Sequence, residues 1–335
     1  MNITLAIKMG STSTIIYREN EGMVLREPSL VAVSGSLHTK EIKAVGAEAE
    51  RMLGRTSEGT SVVAPITAGV ITDDDLAVTM LKYFLHKVCP RKLIKPNIKA
   101  IICVPLGLSL QEKKTYERVC FRAGINDCIL FPAILCDAIG DNVKIDTAVG
   151  KLCLAIGGGC TNVAAISMNN IISGVSVDMG GININTAIEK QLFNDYNIIL
   201  GEGISERIKH DIGSLHENYL ASTEVFGIDA TTKQSKSITL SSKELYPIMT
   251  HYFDRIIEIV QSVIAACPPD IISDITNDGI YVFGGLTSIP GVEKYLQKKL
   301  GLPVHITEHI KTDIAGAAKL LENPRLLKQL LSNIS

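Results

Sequence analysis

The stretch AIKMGSTSTIIY, residues 6–17, joins two apolar runs through a short loop of glycine and hydroxyl residues. The same plan returns at residues 151–177, KLCLAIGGGCTNVAAISMNNIISGVSV. In each copy a third apolar run follows a turn, RENEG or SMNN, which offers the Asn or Gly favoured where a tight hairpin needs a positive φ. The repeat predicts two similar three-stranded meanders, one in each half of the chain.

Alternating strands and helices are predicted after each meander. Residues 99–107, KAIICVPLG, indicate a buried strand, and a helix follows with Ser109 as its N-cap, Glu112 completing a capping box and Gly124 as its stop. In the second half, residues 244–267 predict a long helix that ends before two prolines, and residues 279–301 predict a strand, a glycine loop and a helix. The pattern therefore indicates an α/β fold with two similar lobes on either side of a cleft.

Composition excludes several classes of protein. With 335 residues, 46% of them hydrophobic and 20% charged, the chain is long enough for two packed lobes. A net charge of -2 without a long basic run predicts no nucleic-acid partner. The eight cysteines lie mostly in apolar segments and form neither a CxxC pair nor a metal-spaced cluster, so reduced thiols and no metal site are expected. The start MNITLAIKMG lacks the features of a signal peptide, and a cytoplasmic location is expected.

Three glycine loops are candidates for nucleotide binding. Backbone N–H groups beside glycine can approach phosphate oxygens, as oriented amides do in anion-binding nests. One such loop alone is commonly just a tight turn, but three of them on duplicated strands favour a nucleotide. The first two loops supply the predicted phosphate-binding residues, which are Gly10, Ser11, Thr12, Ser13, Gly157, Gly158, Gly159, Cys160 and Thr161. The third loop, at Gly284, Gly285 and Leu286, is expected beside the base and ribose.

The chain resembles the actin-like ATPases, and most closely the MreB/Mbl family of bacterial cell-shape proteins. Segments similar to MreB follow one another along nearly the whole chain, among them EGMVLREPSLVAV, APITAGVITDDDLAVTMLKYF, GEGISERIKHDIGS and GLPVHITEHIKTDIAGAAKLLEN. The resemblance implies an actin-like fold with mixed five-stranded sheets flanked by helices in two duplicated lobes, residues 1–145 and 146–335. It further implies small inserted subdomains at about 33–64 and 186–248, and protomers that stack head to tail into filaments.

The resemblance also shows where this sequence departs from the family. The acids that normally direct the metal in the first two loops are replaced by Lys8 and Ala155, and Ala133 stands where a glutamate normally positions the attacking water. Mg²⁺ needs oxygen ligands, and a general base is typically worth 10²–10⁴-fold in rate. Binding of ATP or ADP is therefore left as an open alternative, and Mg²⁺ is expected to bind weakly or not at all. No catalytic residue is assigned, and ATP hydrolysis is expected to be weak or absent.

Two interpretations of Lys8 remain open. Its ammonium could contact a phosphate in place of the metal, or it could bridge the cleft to an acid such as Asp137 and leave the site empty. Asp137 itself is interpreted as an acid on the helix surface, with partial replacement of the missing glutamate as the alternative. The adenosine-side residues of the family are retained as Glu206 and Lys209, although such a pair one turn apart is also a common solvated helix pattern.

A predicted membrane loop precedes the strand at residue 99. Leu93 and Ile94 lie among Arg91, Lys92 and Lys95 and match the MreB loop whose two apolar residues enter the membrane. Cations beside an anionic leaflet contribute roughly 1 kcal/mol each. The expectation is a peripheral position at the inner membrane face, and the alternative is that the apolar pair packs under the adjoining strand.

The leading functional hypothesis is an MreB-like cytoskeletal protein with a degenerate nucleotide site. It would form or modulate membrane-associated filaments in cell-shape maintenance, with itself and a complete MreB paralogue as the expected partners. The alternatives are an active MreB-type ATPase that uses unorthodox residues, and a non-polymerising actin-fold adaptor.

Overall fold

The structure is a computed structural model that describes residues 2–35, 41–56, 59–89, 96–307 and 312–334. The strands in these ranges are β1 (Asn2–Met9), β2 (Ser13–Arg18), β3 (Gly22–Pro28), β4 (Val31–Ser34), β5 (Glu41–Val45), β6 (Thr60–Val63), β7 (Ile66–Thr67), β8 (Val70–Ile71), β9 (Asn97–Val104), β10 (Asp127–Pro132), β11 (Lys151–Ile156), β12 (Thr161–Ser167), β13 (Asn170–Val177), β14 (Ile198–Leu200), β15 (Ser222–Asp229), β16 (Ser235–Ser241), β17 (Ile280–Phe283) and β18 (Val304–Ile306).

Helices follow the strands in both halves of the chain. They are α1 (Ala47–Glu50), α2 (Asp74–Val88), α3 (Leu110–Ala123), α4 (Ala133–Gly140), α5 (Gly181–Tyr196), α6 (Ile204–Ile212), α7 (Ser242–Ala265), α8 (Pro269–Asp278), α9 (Val292–Leu300), α10 (Thr312–Glu322) and α11 (Pro324–Ile334), with a 3₁₀ turn at Gly285–Ser288. No helix among the described residues combines the length and the apolar character needed to cross a membrane.

Two five-stranded sheets repeat one topology. The first has the order β10-β9-β1-β2-β3 and the second the order β13-β12-β11-β17-β18. In each sheet the meander strands pair antiparallel, whereas β1 pairs parallel with β9 and β11 parallel with β17. Lys8 and Ala155 are both the penultimate residues of their strands, so the two departures from the family pattern occupy equivalent places. The predicted duplication of the meander is confirmed.

Positive φ angles occur at both predicted hairpin turns. Asn20 and Gly22 have φ of 65° and 85° in the first turn, and Asn169 has φ of 62° in the second. Met168 also has a positive φ, 49°, although a side chain without a local hydrogen bond is uncommon there. The sequence indicated the turns because Asn and Gly tolerate this conformation, but it gave no signal for Met168.

Helix α3 begins and ends as predicted. The backbone N–H of Glu112 donates to the Ser109 hydroxyl, the Ser109 N–H donates to the Glu112 carboxylate, and Gly124 ends the helix with φ of 108°. The two prolines after α7 end that helix as predicted, but α8 begins at Pro269 and was not predicted. Proline is well accommodated in the first helical turn, because that turn has no intrahelical partner for its N–H.

Buried side chains from both five-stranded sheets and from α10 pack together in one hydrophobic cluster. One buried cluster contains Ala6 of β1, Cys153 of β11, Phe283 of β17 and Ala317 of α10. Helix α10 packs closely on α4, since a Cβ added to Gly316 would lie 2.6 Å from the carbonyl carbon of Cys136. The helix that begins at residue 312 therefore covers part of the first sheet, and the lobe boundary between residues 145 and 146 stays a prediction.

Two smaller sheets lie outside the duplicated pair. The three-stranded sheet β5-β4-β6 overlaps the range 33–64, and the three-stranded sheet β14-β15-β16 falls within the range 186–248. These ranges are the ones for which small inserted subdomains are predicted. The extent of each subdomain remains a prediction.

Candidate functional site

The first two glycine loops have the same backbone turn and face one cleft. The N–H of Gly10 donates to the Ser13 carbonyl at 3.1 Å, and the N–H of Gly157 donates to the Cys160 carbonyl at 2.9 Å. The cleft lining brings together predicted phosphate-binding residues, the three replaced positions and additional residues from both lobes. Its lining residues are Lys8, Met9, Gly10, Ser11, Thr12, Ser13, Gly69, Cys103, Val104, Pro105, Ala133, Asp137, Ala155, Gly157, Gly158, Gly159, Cys160, Asn162, Gly284 and Asp313.

Direct contact between the loops requires glycine in the second one. A Cβ on Gly158 would lie 2.9 Å from the hydroxyl oxygen of Thr12, and a Cβ on Gly159 would lie 2.6 Å from Cβ of Ser11. Among the described residues, the backbone N–H groups of Ser11, Thr12, Gly158 and Gly159 donate no hydrogen bond. Four unused donors at a glycine-rich concavity are suited to an anion such as a phosphate.

An ion pair occupies the floor of the cleft. The ammonium of Lys8 is bonded to the carboxylate of Asp313, and the Lys8 side chain is 37% exposed whereas that of Asp313 is 4% exposed. Burial alone would lower the pKa of Lys8, but the negative charges of Asp313 and Asp137 outweigh that effect and raise it. Lys8 is therefore a permanent cation at neutral pH. Its direct partner is Asp313, which the sequence did not single out, and not Asp137.

Asp137 is a buried acid, and the interpretation as a helix-surface acid was wrong. It is 5% exposed and accepts a hydrogen bond from the hydroxyl of Thr312 at the start of α10. Burial, together with the nearby carboxylate of Asp313, raises the pKa of Asp137 to about 8, although Lys8 opposes the shift. Asp137 therefore holds its proton more tightly than an ordinary aspartate, because its environment disfavours a second negative charge.

The residues on the cleft floor suit a nucleotide better than a divalent cation. Ala133 and Ala155 both line the cleft and supply no oxygen ligand. No group of three or more His, Cys, Asp or Glu side chains within the described ranges is arranged to hold a metal ion. The two acids present, Asp137 and Asp313, are engaged by Thr312 and by the ammonium of Lys8. The unused loop amides suit phosphate oxygens, whereas a cation would lie beside a fixed positive charge.

Hydrogen bonds from neighbouring segments hold the loops in place, and sequence reasoning missed them. The N–H of Gly69 donates to the Ser11 hydroxyl at 3.0 Å, and the N–H of Leu106 donates to the side-chain oxygen of Asn162 at 3.0 Å. The hydroxyl of Tyr116 donates to the Gly69 carbonyl at 2.8 Å. A signal existed only for Gly69, which follows Ala68 in a two-residue turn where both residues have positive φ.

The predicted adenosine-side residues divide into a buried and an exposed group. Lys209 is 4% exposed, and its ammonium donates to the Gly181 carbonyl at 3.1 Å. Burial lowers the pKa of Lys209, and Glu206 partly opposes that shift. Leu286 is buried near Gly181, whereas Glu206 is exposed and Gly284 lines the cleft. Binding of adenosine by these residues, with Gly285, stays a prediction.

Thr161 and Cys160 are the last two predicted phosphate-binding residues of the second loop. Thr161 is buried, and its hydroxyl donates to the Met179 carbonyl at 2.6 Å, so this side chain already has a partner away from the loop surface. Cys160 lines the cleft, and burial raises the pKa of its thiol, so it is not a reactive thiolate. The predicted membrane residues Leu93 and Ile94 lie outside the described residues.

A hydrogen bond connects the two halves of the chain at a distance from the loops. The carboxylate of Glu202, just before α6, accepts from the N–H of Gly54 at 2.7 Å. Gly54 follows α1 and has φ of 66°, a conformation that favours glycine. We call this contact the Gly54–Glu202 clasp. It joins segments from the two regions in which small subdomains are predicted.

Comparison with known proteins identifies related chains along nearly the full length. A family model described as MreB/Mbl protein matches residues 2–329. The cell shape-determining protein MreB of Escherichia coli strain K12 is 32% identical over 324 residues, which cover 95% of this chain and 93% of that relative. Both matches agree with the resemblance of the collinear segments.

Solved structures share the architecture. The crystal structure of MreB5 of Spiroplasma citri bound to AMPPNP is 27% identical, aligns with a TM-score of 0.90, and covers 100% of this chain and 99% of that chain. A crystal structure of MreB5 bound to ADP has the same TM-score of 0.90. The MamK double helical filament, at 16% identity and a TM-score of 0.79, covers 96% of this chain and 99% of that chain and shows the fold alone. The actin-like fold is confirmed, and the chain belongs to the MreB/Mbl family.

Proposed function

We propose that this protein is a cytoskeletal filament protein of the MreB type that binds a nucleotide but does not hydrolyse it. The observation that carries the proposal is the Lys8–Asp313 ion pair at the cleft floor, combined with Ala133 and Ala155 in the lining. The chain keeps the family's loops and fold, but both carboxylates among the described lining residues, Asp137 and Asp313, already have bonded partners in Thr312 and Lys8.

Nucleotide binding is supported by the loop geometry and by two related structures. The unused N–H groups of Ser11, Thr12, Gly158 and Gly159 are suited to phosphate oxygens. The related MreB5 is seen with AMPPNP and with ADP. ATP or ADP is therefore the proposed ligand of the cleft.

Loss of hydrolysis follows from the side chains that replace the acids. A general base typically accelerates proton transfer 10²–10⁴-fold, and it must lie within hydrogen-bond reach of the attacking water. The methyl group of Ala133 cannot accept a proton. Asp137 is the remaining candidate base on α4, but it is buried and its carboxylate already accepts a hydrogen bond from the Thr312 hydroxyl.

Assembly is proposed to occur by head-to-tail stacking that does not depend on hydrolysis. Such a contact is heterologous and does not close on itself, so it generates filaments. If no γ-phosphate is removed, the nucleotide cannot reset the relation of the two lobes through a hydrolysis cycle. We propose a peripheral position at the inner membrane face through Leu93 and Ile94, with a complete MreB paralogue as a second partner.

Phosphate release and pelleting test the proposal together. In ATP and Mg²⁺, phosphate release by the purified protein should equal that of Gly158→Val, because a side chain at this position collides with Thr12 and disrupts the loop contact. Pelleting and electron microscopy should show the same filaments with ATP, with ADP and after nucleotide removal.

Three results would contradict parts of this function. Turnover that Asp137→Asn abolishes would establish an active ATPase with an unorthodox base. Filaments that form only with ATP would contradict assembly without hydrolysis. A protein that stays monomeric under all three conditions would favour the non-polymerising adaptor.

A further inference from the structure

The Lys8 side chain lies between a buried acid and the phosphate-binding surface. Its Cε is 3.7 Å from the position of a Cβ built on Gly10, so its aliphatic part runs beside the first loop. The side chain is 37% exposed, while its partner Asp313 is 4% exposed. Asp313 thus anchors the ammonium from the protein side, and the exposed part of Lys8 belongs to the cleft lining.

We propose that the cleft binds a nucleoside di- or triphosphate without a divalent cation, with the ammonium of Lys8 as the fixed counterion of the phosphates. This inference rests on the proposed nucleotide-binding function and specifies the ionic form of the ligand. An ammonium has three N–H donors. Bonding to Asp313 leaves donor capacity for a phosphate oxygen at the surface where the loop amides of Ser11 and Gly158 are also unused.

The charges on the cleft floor favour this ligand. The ion pair of Lys8 and Asp313 has no net charge, but Lys8 is its exposed member and the carboxylate of Asp313 is buried. The raised pKa of Asp137 disfavours a further negative charge beside them. The floor therefore does not repel a polyphosphate, although two acids lie within it. A divalent cation arriving with the nucleotide would meet the ammonium of Lys8 and would find no carboxylate at Ala155 or Ala133.

The metal is thus replaced by a charge that is part of the chain. A lysine ammonium is a compact point charge on a flexible stem and is well suited to phosphate. Without the metal, the phosphates lose one counterion, but they gain the ammonium of Lys8, which is already part of the cleft lining. Binding should consequently not require Mg²⁺, in contrast to a site that holds the nucleotide through the metal.

A fluorescent ADP and a fluorescent ATP analogue, each titrated in EDTA and then in Mg²⁺, provide the test. For the unaltered protein, the dissociation constant of the nucleotide in EDTA should be no larger than that in Mg²⁺. Lys8→Met should weaken binding in EDTA by about tenfold or more, as expected for the loss of a hydrogen bond from a charged donor. Lys87→Met is the matched control, because Lys87 pairs with Glu27 and does not line the cleft; its affinity should be unchanged.

A second variant separates the role of Lys8 in binding from a role in folding. Asp313→Asn removes the competing carboxylate and leaves the ammonium for the phosphates, so it should strengthen binding in EDTA. Circular dichroism spectra should show that each variant is folded before titration. If Lys8→Met does not fold, the EDTA and Mg²⁺ comparison and the Asp313→Asn variant still decide the question.

The possible results distinguish this inference from the proposed function. Binding that requires Mg²⁺ would overturn the metal-independent site and leave nucleotide binding intact. Binding in EDTA that Asp313→Asn weakens, or that Lys8→Met leaves unchanged in a folded protein, would overturn the role of the Lys8 ammonium. No binding under either condition would overturn both the inference and the proposal that the cleft holds a nucleotide.

Discussion

Replacement of Gly316 by alanine should destabilise the protein, because α10 and α4 approach each other through this residue. The added Cβ would lie 2.6 Å from the carbonyl carbon of Cys136 and 2.8 Å from its Cα. Carbon atoms are separated by about 3.5 Å at optimal contact, so the helices must move apart by at least about 0.9 Å (3.5 minus 2.6), and the carbonyl oxygen of Cys136 would lie closer still. The movement would also displace Asp313, one turn earlier on α10, from Lys8.

The magnitude of the Gly316→Ala effect follows from two opposing contributions. Overpacking a well-packed region typically costs about 1–3 kcal/mol, and a gap of this size removes a quarter to a half of each affected contact energy. Alanine in a helix interior recovers roughly 0.5–1 kcal/mol relative to glycine. The difference between these ranges is about 0–2.5 kcal/mol. Because the added Cβ would meet backbone atoms, which cannot turn aside as a flexible side chain can, the free energy of unfolding should fall by about 2 kcal/mol.

Urea unfolding followed by circular dichroism measures this difference. The chain contains no tryptophan, so tryptophan fluorescence cannot report the transition. Gly285→Ala is the control, because a Cβ at Gly285 has no atom within 4 Å and its φ is not positive. If Gly316→Ala is as stable as Gly285→Ala, the close approach of α10 to α4 is refuted.

Three other predictions concern charge, the clasp and the membrane loop. The pKa of Asp137 is about 8 in the folded state and has its ordinary value of 3.8 in the unfolded state, so the free energy of unfolding should decline as pH rises between these values, by at most about 1.4 kcal/mol per pH unit. The urea midpoint of Asp137→Asn should lack this decline, and a pH profile equal to that of the unaltered chain would contradict the assignment. Glu202→Ala should speed the release of a fluorescent nucleotide, because it removes the oxygen that accepts from the N–H of Gly54, whereas Glu202→Gln keeps an acceptor oxygen and should release the nucleotide more slowly than Glu202→Ala. Equal release rates for Glu202→Ala and the unaltered chain would exclude a role for the clasp. Replacement of Leu93 and Ile94 by serine should abolish flotation with anionic liposomes and leave the melting temperature unchanged, because each apolar side chain contributes about 1.5–3 kcal/mol to membrane binding when it is fully buried. A lowered melting temperature would instead favour packing of the two side chains under the adjoining strand.

The duplicated fold could be predicted because its signals are local. The glycine loops, the turn residues Asn20 and Asn169, and the capping box of Ser109 each depend on a few neighbouring residues. Hydrophobic strands around equivalent loops then indicated the repeat. The resemblance to the MreB/Mbl family implied that Lys8, Ala133 and Ala155 lie in one cleft, and all three are found in its lining.

The partner of Lys8 could not be predicted because it depends on packing between distant parts of the chain. Asp313 lies about 300 residues from Lys8, and no periodicity marks it among the acids of the C-terminal region. The helix pattern of α4 likewise gave no sign that Asp137 faces α10, which buries it and supplies Thr312 as its partner. Long-range packing thus buries these two carboxylates in the floor of the cleft and gives each of them a partner.

The position of α10 against the first sheet has a consequence for synthesis on the ribosome. The face of β1 and β2 that carries Ala6 and Ile15 is covered in part by Ile314 and Ala317. About 290 residues separate the end of β2 from the start of α10. At a synthesis rate of 5–20 residues per second, α10 is therefore made roughly 15–60 s after the face that it covers. This apolar surface is synthesised well before the helix that covers it, and during that interval it is exposed to aggregation.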